Sequence, residues 1–348
     1  MPCCIASGHR TCHGPTGPTG RQGRAMREQI VTVDIGGTHA RFAIAEIEGG
    51  RVRSLGEATT LHTKDHASFQ TAWQDFEGRQ GGTLPRAVAI AIAGPTRGEI
   101  IRFTNNPWII RPALIGEKLN VDRHILVNDF EAVGHAVAQA DESYFGRLTG
   151  PDEPLPATGT ISVIGPGTGL GVAHIWRDES GYRVQATEGG HIDFAPLDSI
   201  EDAILARLRK RHRRVSVERV VSGPGIVDIY ETLAALEGRA VTPLDDKAIW
   251  AAALSGGDSL AAAAADRFCL SLGSVAGDLA LAQGASGVVI AGGLGLRIRD
   301  SLVRSGFPER FIEKGRFEGF MAALPVKLIT HPQPGLFGAA AAFARQHG

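Results

Sequence analysis

Twice in this chain a run of strand-forming residues stops at a glycine–threonine turn and a second such run follows at once. The first turn is Val33-Asp34-Ile35-Gly36-Gly37-Thr38, set between the apolar stretches 30–33 and 42–47. The second is Gly165-Pro166-Gly167-Thr168-Gly169-Leu170-Gly171, set between 160–164 and 172–176. Adjacent glycines permit positive φ and leave a turn without side-chain cover, so its N–H groups can close around an anion. Thr38 adds a hydroxyl, and Asp34 places a carboxylate where it can hold a hydrated cation against the same anion, a combination suited to phosphate with Mg²⁺. One Gly-Gly hairpin is usually only a turn. Two of them, about 130 residues apart, predict two related α/β halves that each contribute a phosphate grip. No G-x-x-x-x-G-K-[ST] follows either turn, and each leads into a strand pattern rather than a helix, which argues against a Walker loop and a dinucleotide fingerprint. A nucleotide held in a cleft between two domains is the reading that remains.

The length of 348 residues is about twice that of a common domain, in keeping with two halves. A net charge of -1 gives no general case for a nucleic-acid or anionic-membrane partner. The Ala-rich stretch 251–283 is broken by Asp258, Asp266, Arg267 and Asp278, so no uninterrupted membrane-spanning run is expected. A soluble, cytoplasmic protein is predicted. Residues 1–25 differ from the rest: they carry Gly14-Pro15-Thr16-Gly17-Pro18-Thr19-Gly20, Cys3, Cys4 and Cys12, and no apolar signal core. A Cys/His cluster with His9 and His13 fits no zinc spacing, so a disordered or non-native leader is expected, with the folded protein beginning near Met26. Beyond it only Cys269 remains, which excludes a disulfide within the folded part.

Along the chain, Phe69, Trp73 and Phe76 fall at helical spacing and read as a core face. The stretch 87–93 reads as a buried strand stopped by Gly94-Pro95. Phe103-Thr104-Asn105-Asn106-Pro107-Trp108 reads either as a pocket wall or as a loop anchored by its Trp. After a helix at 112–119, strand 124–127 ends in Asn128-Asp129-Phe130, and ligands gather at the carboxyl ends of strands in open parallel sheets. Asp129 reads equally well as the N-cap of a helix at 131–140. A loop is expected over 141–159. Glycines hold Glu188 and His191 on one small loop, presenting acceptors to a polar ligand; their spacing does not suit a metal. The basic run Arg207–Arg214 reads as the water-facing last turn of a helix from about Ile200. Helices follow at 226–236 and 258–283, then a buried strand ending in Gly292-Gly293, which would admit a flat adenine ring. A strand at 326–329 and a helix from about Leu336 close the chain.

Taken in order, D-I-G-G-T, T-N-x-x-W, V-N-D-F, G-x-G-T-G-L-G, E-G-G-H-x-D-F, S-V-E-R-V-x-S-G-P-G and I-A-G-G closely resemble the bacterial ATP-dependent glucokinases of the actin-like sugar-kinase superfamily. The resemblance runs from about residue 28 to the C-terminus. It implies an α/β, two-domain actin-like ATPase (ribonuclease H-like) fold with an interdomain cleft. The small domain would be 26–139 plus 331–348 and the large domain 140–330. It further implies ATP, Mg²⁺ and D-glucose, giving glucose 6-phosphate and ADP, in a homodimer with no nucleic-acid or membrane partner. On this chain Asn128 and Asp129 would hold the sugar, Asp129 would accept the 6-hydroxyl proton, and Glu188, His191 and Glu218 would grip the other hydroxyls. Asp34, Ile35, Gly36, Gly37, Thr38, Gly167, Thr168, Gly169, Gly292 and Gly293 would hold the nucleotide, with Asp34 positioning the metal through water. His39 stands where many members carry Asn. The Cys-rich zinc motif of the repressor/kinase relatives is missing, so no structural zinc is expected. Alternatives are a kinase for another hexose, a sugar-binding regulator without catalysis, and an actin-like ATPase acting on a protein.

Overall fold

The computed structural model describes residues 27–103 and 106–348; the expected leader 1–25 and the pair Thr104-Asn105 lie outside them. The chain opens with β1 (Glu28–Ile35), β2 (His39–Glu48), β3 (Arg51–Leu55), β4 (Thr59–His62) and α1 (Phe69–Arg79). There follow β5 (Ala87–Ile92), the short strands β6 (Ile101–Arg102) and β7 (Ile109–Ile110), α2 (Ile115–Leu119), β8 (Arg123–Asn128) and α3 (Asp129–Gln139). Five of these strands lie in the order β3-β2-β1-β5-β8, with β4 also on β2. The hairpin β1–β2 is antiparallel, and β5 and β8 join in parallel. The residues account for this placement. β5, Ala-Val-Ala-Ile-Ala-Ile, is buried at every position, as a central parallel strand covered on both faces must be. α1 buries Phe69, Ala72, Trp73 and Phe76 along one stripe and begins at a Ser68/Thr71 capping box.

The second half repeats the plan. It contains β9 (Phe145–Thr149), β10 (Gly159–Pro166), β11 (Leu170–Asp178) and β12 (Gly181–Thr187), then α4 (Ser199–Arg209), α5 (Gly225–Leu236), α6 (Asp246–Ser255) and α7 (Ser259–Gln283). After β13 (Ala285–Ile290) come the short helices α8 (Gly292–Arg297), α9 (Arg299–Arg304), α10 (Phe307–Ile312) and α11 (Glu318–Ala322), then β14 (Val326–Ile329) and α12 (Pro334–His347). Its sheet runs β12-β11-β10-β13-β14-β9. Apart from β4 in the first sheet and β9 in the second, the two match strand for strand: an antiparallel meander with two parallel strands added beside its first member. Each glycine turn therefore sits at the same place in its half.

Three expectations need correction. The loop predicted over 141–159 contains β9, which pairs antiparallel with β14 at the sheet edge; Gly146 and Arg147 hide the apolar alternation that marks a strand. The helix predicted over 131–140 begins at Asp129, because the cap is Asn128, whose Oδ1 accepts the N–H groups of Phe130 (2.9 Å) and Glu131 (3.1 Å). Such a cap contributes about 1 kcal/mol. The basic run after Ile200 is not simply a water-facing helix end. Arg207 pairs with Asp228 and Glu231, Arg211 with Asp228, and Arg214 with Asp193, so the run ties α4 and its exit loop to α5 and to the 188–194 segment.

Two helices join the halves. α12 returns to the first sheet, packing on β1, β2 and β5 and crossing α3. The crossing is backbone-close: a methyl group at Gly338 would overlap the Ala132 carbonyl. Thr32 Oγ1 donates to the Leu336 carbonyl at 2.7 Å, and Ala339, Ala340 and Phe343 share a core with Ile30, Ala45 and Ala89. α3 packs on α12 and also on β11 and β12, with Gly134 set against Val184. Whatever stands at the first turn of α3 is thus placed at the junction of the two sheets.

Candidate active site

The two glycine turns are built alike: their carbonyls are tied down and their middle amides are free. In the first, Gly36 N–H donates to His39 O (2.9 Å), closing the turn. Asn106 Nδ2 donates to Gly36 O (3.2 Å), Thr63 Oγ1 to Gly37 O (3.0 Å), and Thr63 N–H to Thr38 O (3.0 Å). In the second, Gly167 N–H donates to Gly169 O (2.8 Å) and Gly223 N–H to Gly167 O (2.7 Å). Among the described residues no acceptor meets the amides of Gly37, Thr38, Thr168 or Gly169, and both threonines are exposed. Unclaimed amides at consecutive positions of a turn form an anion-binding concavity.

Asp34, the last polar residue of β1, is largely buried behind the first turn. Its carboxylate accepts from Arg41 Nη1 at 3.2 Å and lies against Gly335, where any side chain would collide with it. Burial pushes the Asp34 carboxyl above the usual range, against the opposing pull of Arg41. Asp129 occupies the first turn of α3, with Oδ1 accepting Phe130 N–H at 2.8 Å. Its pKa is pushed up to about 6, by burial foremost and then by the neighbouring charges of Asp34 and Glu188. Asp34 and Glu188 each lie within electrostatic reach of Asp129. Asn128 stays beside them through its cap and a bond from Nδ2 to Gly94 O (3.3 Å).

Phe130 links this cluster to the second turn. Its ring lies over Gly165 and Gly171, which are cross-strand partners in β10 and β11, and a methyl group on either would overlap it. These two glycines serve ring packing, whereas Gly167 has open space where a side chain would stand. The loop after β12 is drawn in the same way: Gly189 packs on Val172 and Gly190 on the Leu170 carbonyl. That carries Glu188 and His191 to the same edge, where their side chains stand 3.7 Å apart, 90% and 56% exposed. Glu218 is held differently. Its Oε2 accepts Leu170 N–H at 2.9 Å and fills the space over Gly169, so it lies on the second turn itself. Gly292, at φ +83, backs onto Pro166 O at the close of β10, while Gly293 is open.

Sequence reasoning did not find the braces of the turns. The sequence presents Asn106 only as one member of a segment that is either a pocket wall or a loop anchored by its Trp, and Trp108 does anchor it, by burial and by Nε1 donating to His66 O at 2.9 Å. Thr63 and Gly223 carried no local signal; Gly223 is held in turn by Trp250 Nε1 on its carbonyl (3.0 Å). A cavity of about 330 Å³ lies elsewhere, at the far end of α3 beside Glu142, Arg177 and Tyr182. Its Arg177 is engaged by the carbonyls of Pro156 and Val137. Among the described residues no cluster of three or more His, Cys, Asp or Glu could hold a metal alone. A lone buried carboxylate beside free turn amides does fit Mg²⁺, which commonly takes one or two carboxylates and completes its shell with phosphate oxygens and water.

A family model described as Glucokinase matches residues 31–347. The glucokinase of Zymomonas mobilis subsp. mobilis is 62% identical over 319 residues, covering 92% of this chain and 98% of that protein. The glucokinase of Caulobacter vibrioides is 41% identical over 316 residues, covering 89% and 93%. Among solved structures, a glucokinase from an Antarctic psychrotroph superposes with a TM-score of 0.80 at 33% identity, covering 90% of this chain and 98% of that one. A ROK family glucokinase from Streptomyces griseus, in complex with glucose and AMPPNP, gives a TM-score of 0.58 at 22% identity, covering 91% and 99%, a likeness of fold.

Proposed function

The chain belongs to the glucokinase family, and on that footing we propose how its residues carry the reaction. It is an ATP-dependent kinase with the two-domain actin-like fold, transferring the γ-phosphoryl group to the 6-hydroxyl of D-glucose. The small unit is residues 26–139 with 331–348, the large unit 140–330. The cleft between them holds the substrates.

One observation carries the assignment of roles: Asp129 is partly buried, raised in pKa to about 6, and fixed at the meeting point of the two glycine turns. A base poised near neutrality accepts a proton efficiently as the 6-hydroxyl attacks phosphorus. Asn128, Glu188, His191 and Glu218 orient the sugar through its other hydroxyls, so that a wrong hexose leaves polar groups unpaired. The amides of Gly37, Thr38, Thr168 and Gly169 face the phosphate oxygens, and Gly293 leaves room for the adenosine. Asp34 would hold Mg²⁺, through water, and the ion would supply neutralisation of charge on the phosphates. Asp34 also keeps negative charge beside Asp129, which favours proton uptake there. The protein is cytoplasmic and acts as a homodimer; among the described residues no helix is long and apolar enough to cross a membrane.

The test is a coupled assay of ADP release with ATP and a panel of glucose, mannose, fructose and glucosamine, with and without Mg²⁺. Glucose should be preferred and Mg²⁺ required. Asp129→Ala should lose about 10²–10⁴-fold in kcat while retaining ATP binding. Near-full turnover by that variant would overturn the role given to Asp129.

A further inference from the structure

Strand register places four ionisable side chains, in two adjacent cross-strand rows, on one face of the sheet beside the first glycine turn. Asp34 and Arg41 are directly opposed in β1 and β2, and His39, two residues from Arg41, shares its face. β4 sets His62 opposite His39 and Thr60 opposite Arg41. The two imidazole rings touch, their centroids 4.5 Å apart at 45°. Neither is engaged in a hydrogen bond or ion pair among the described residues. His39 directly follows Gly37 and Thr38, the residues whose amides are free.

We propose that His39, with His62 against it, donates to the terminal phosphates of the nucleotide, so that ATP binding draws a proton onto His39. The inference rests on the placement of ATP phosphates at the first turn. Like charges set side by side on one face repel, so a charge on His39 beside Arg41 is costly without an anion next to it. The charged groups on the elements beside it are Arg41 and Asp34 on β2 and β1, Lys64 and Asp65 in the turn after β4, and the His66–Asp75 pair that follows; α12, packed against β1, brings no acidic residue in its first turn. Burial, and then His62 and Arg41, hold His39 below the usual imidazole range in the free protein. A polyphosphate reverses that balance. Charging the ring shortens and strengthens its hydrogen bond to a phosphate oxygen. An asparagine in this place would donate a hydrogen bond but never a charge, so proton coupling is a property of the imidazole that His39→Asn removes.

The experiment is calorimetric titration of MgATP, and separately of glucose 6-phosphate, into the wild type, His39→Asn and His62→Asn at about pH 6 and about pH 8, in buffers of differing ionisation enthalpy. Ionisation of the ligand itself is common to all three proteins and cancels in the comparison; glucose binding reports that each variant is folded. The wild type should take up protons with ATP, and its affinity should improve on acidification by about tenfold more than that of His39→Asn for each pKa unit gained. Equal proton uptake and equal pH ratios in wild type and His39→Asn overturn the proposal, as does coupling seen with glucose 6-phosphate but not with ATP. Gly37→Val separates this from the underlying placement. If it loses ATP while His39→Asn keeps the full pH dependence, the turn holds the phosphates and the histidines do not. If Gly37→Val binds ATP normally, the placement itself is wrong.

Discussion

Asp129 should be a residue the fold would be more stable without its charge, and Asp129→Asn measures by how much. Its pKa lies at about 6 against an ordinary 3.8, a gap of about two pH units. At 1.36 kcal/mol per unit the gap converts to roughly 3 kcal/mol, an upper figure that residual solvent access brings to about 2 kcal/mol. The sign follows from a folded-state pKa that is raised. The carboxylate costs nothing below about pH 4, where it is protonated in both states. The cost builds as pH climbs towards about 6 and is constant above. Asparagine removes the charge, nearly conserves the shape, and keeps an oxygen to accept the Phe130 N–H at 2.8 Å. Asp129→Asn should therefore melt a few degrees above wild type at about pH 8, the difference shrinking to nothing near pH 4, with turnover abolished throughout. Paired melting curves at the two pH values, followed by calorimetry or tryptophan fluorescence, give the answer. A variant no more stable than wild type at pH 8, or equally stabilised at both, would refute the argument that burial and neighbouring carboxylates raise this group.

The same group sets a pH limb: kcat/KM for glucose should fall on acidification with an apparent pKa near 6, read from initial rates with ATP saturating. Gly171→Ala puts a methyl group into the Phe130 ring, and displacing that ring should move Asp129 and lower kcat by roughly 10²-fold, with partial recovery in the double variant carrying Phe130→Leu. Retained wild-type kcat in Gly171→Ala would show that the ring does not position the base. Gly338→Leu, which forces α12 off the Ala132 carbonyl, should cost several kcal/mol in urea unfolding, roughly the upper end of overpacking penalties.

What was legible in the sequence and what was not divides by the range of the contacts involved. The two turns could be read because a glycine–threonine turn between strands is a local pattern, and the helix stripe Phe69, Trp73, Phe76 and the wholly buried β5 are local too. The braces could not. Asn106 reaches Gly36 across 70 residues and Thr63 reaches Gly37 across 26, so nothing adjacent in sequence marks either as a partner. β9 escaped because Gly146 and Arg147 interrupt its pattern, and it is a strand only because β14 offers an edge. The glycines of the second turn are the most instructive case. Written out, Gly165, Gly167, Gly169 and Gly171 look like one phosphate-binding run, yet the hairpin register opposes Gly165 to Gly171 beneath Phe130, puts Glu218 over Gly169, and leaves Gly167 open. One motif thus performs three tasks: seating the ring that carries Asp129, receiving an acid from a distant segment, and presenting amides. Because the base and the second turn are joined through backbone that has no side chain to yield, a single added methyl group at 171 should act at a distance on proton transfer, whereas one at 167 should act only on the nucleotide.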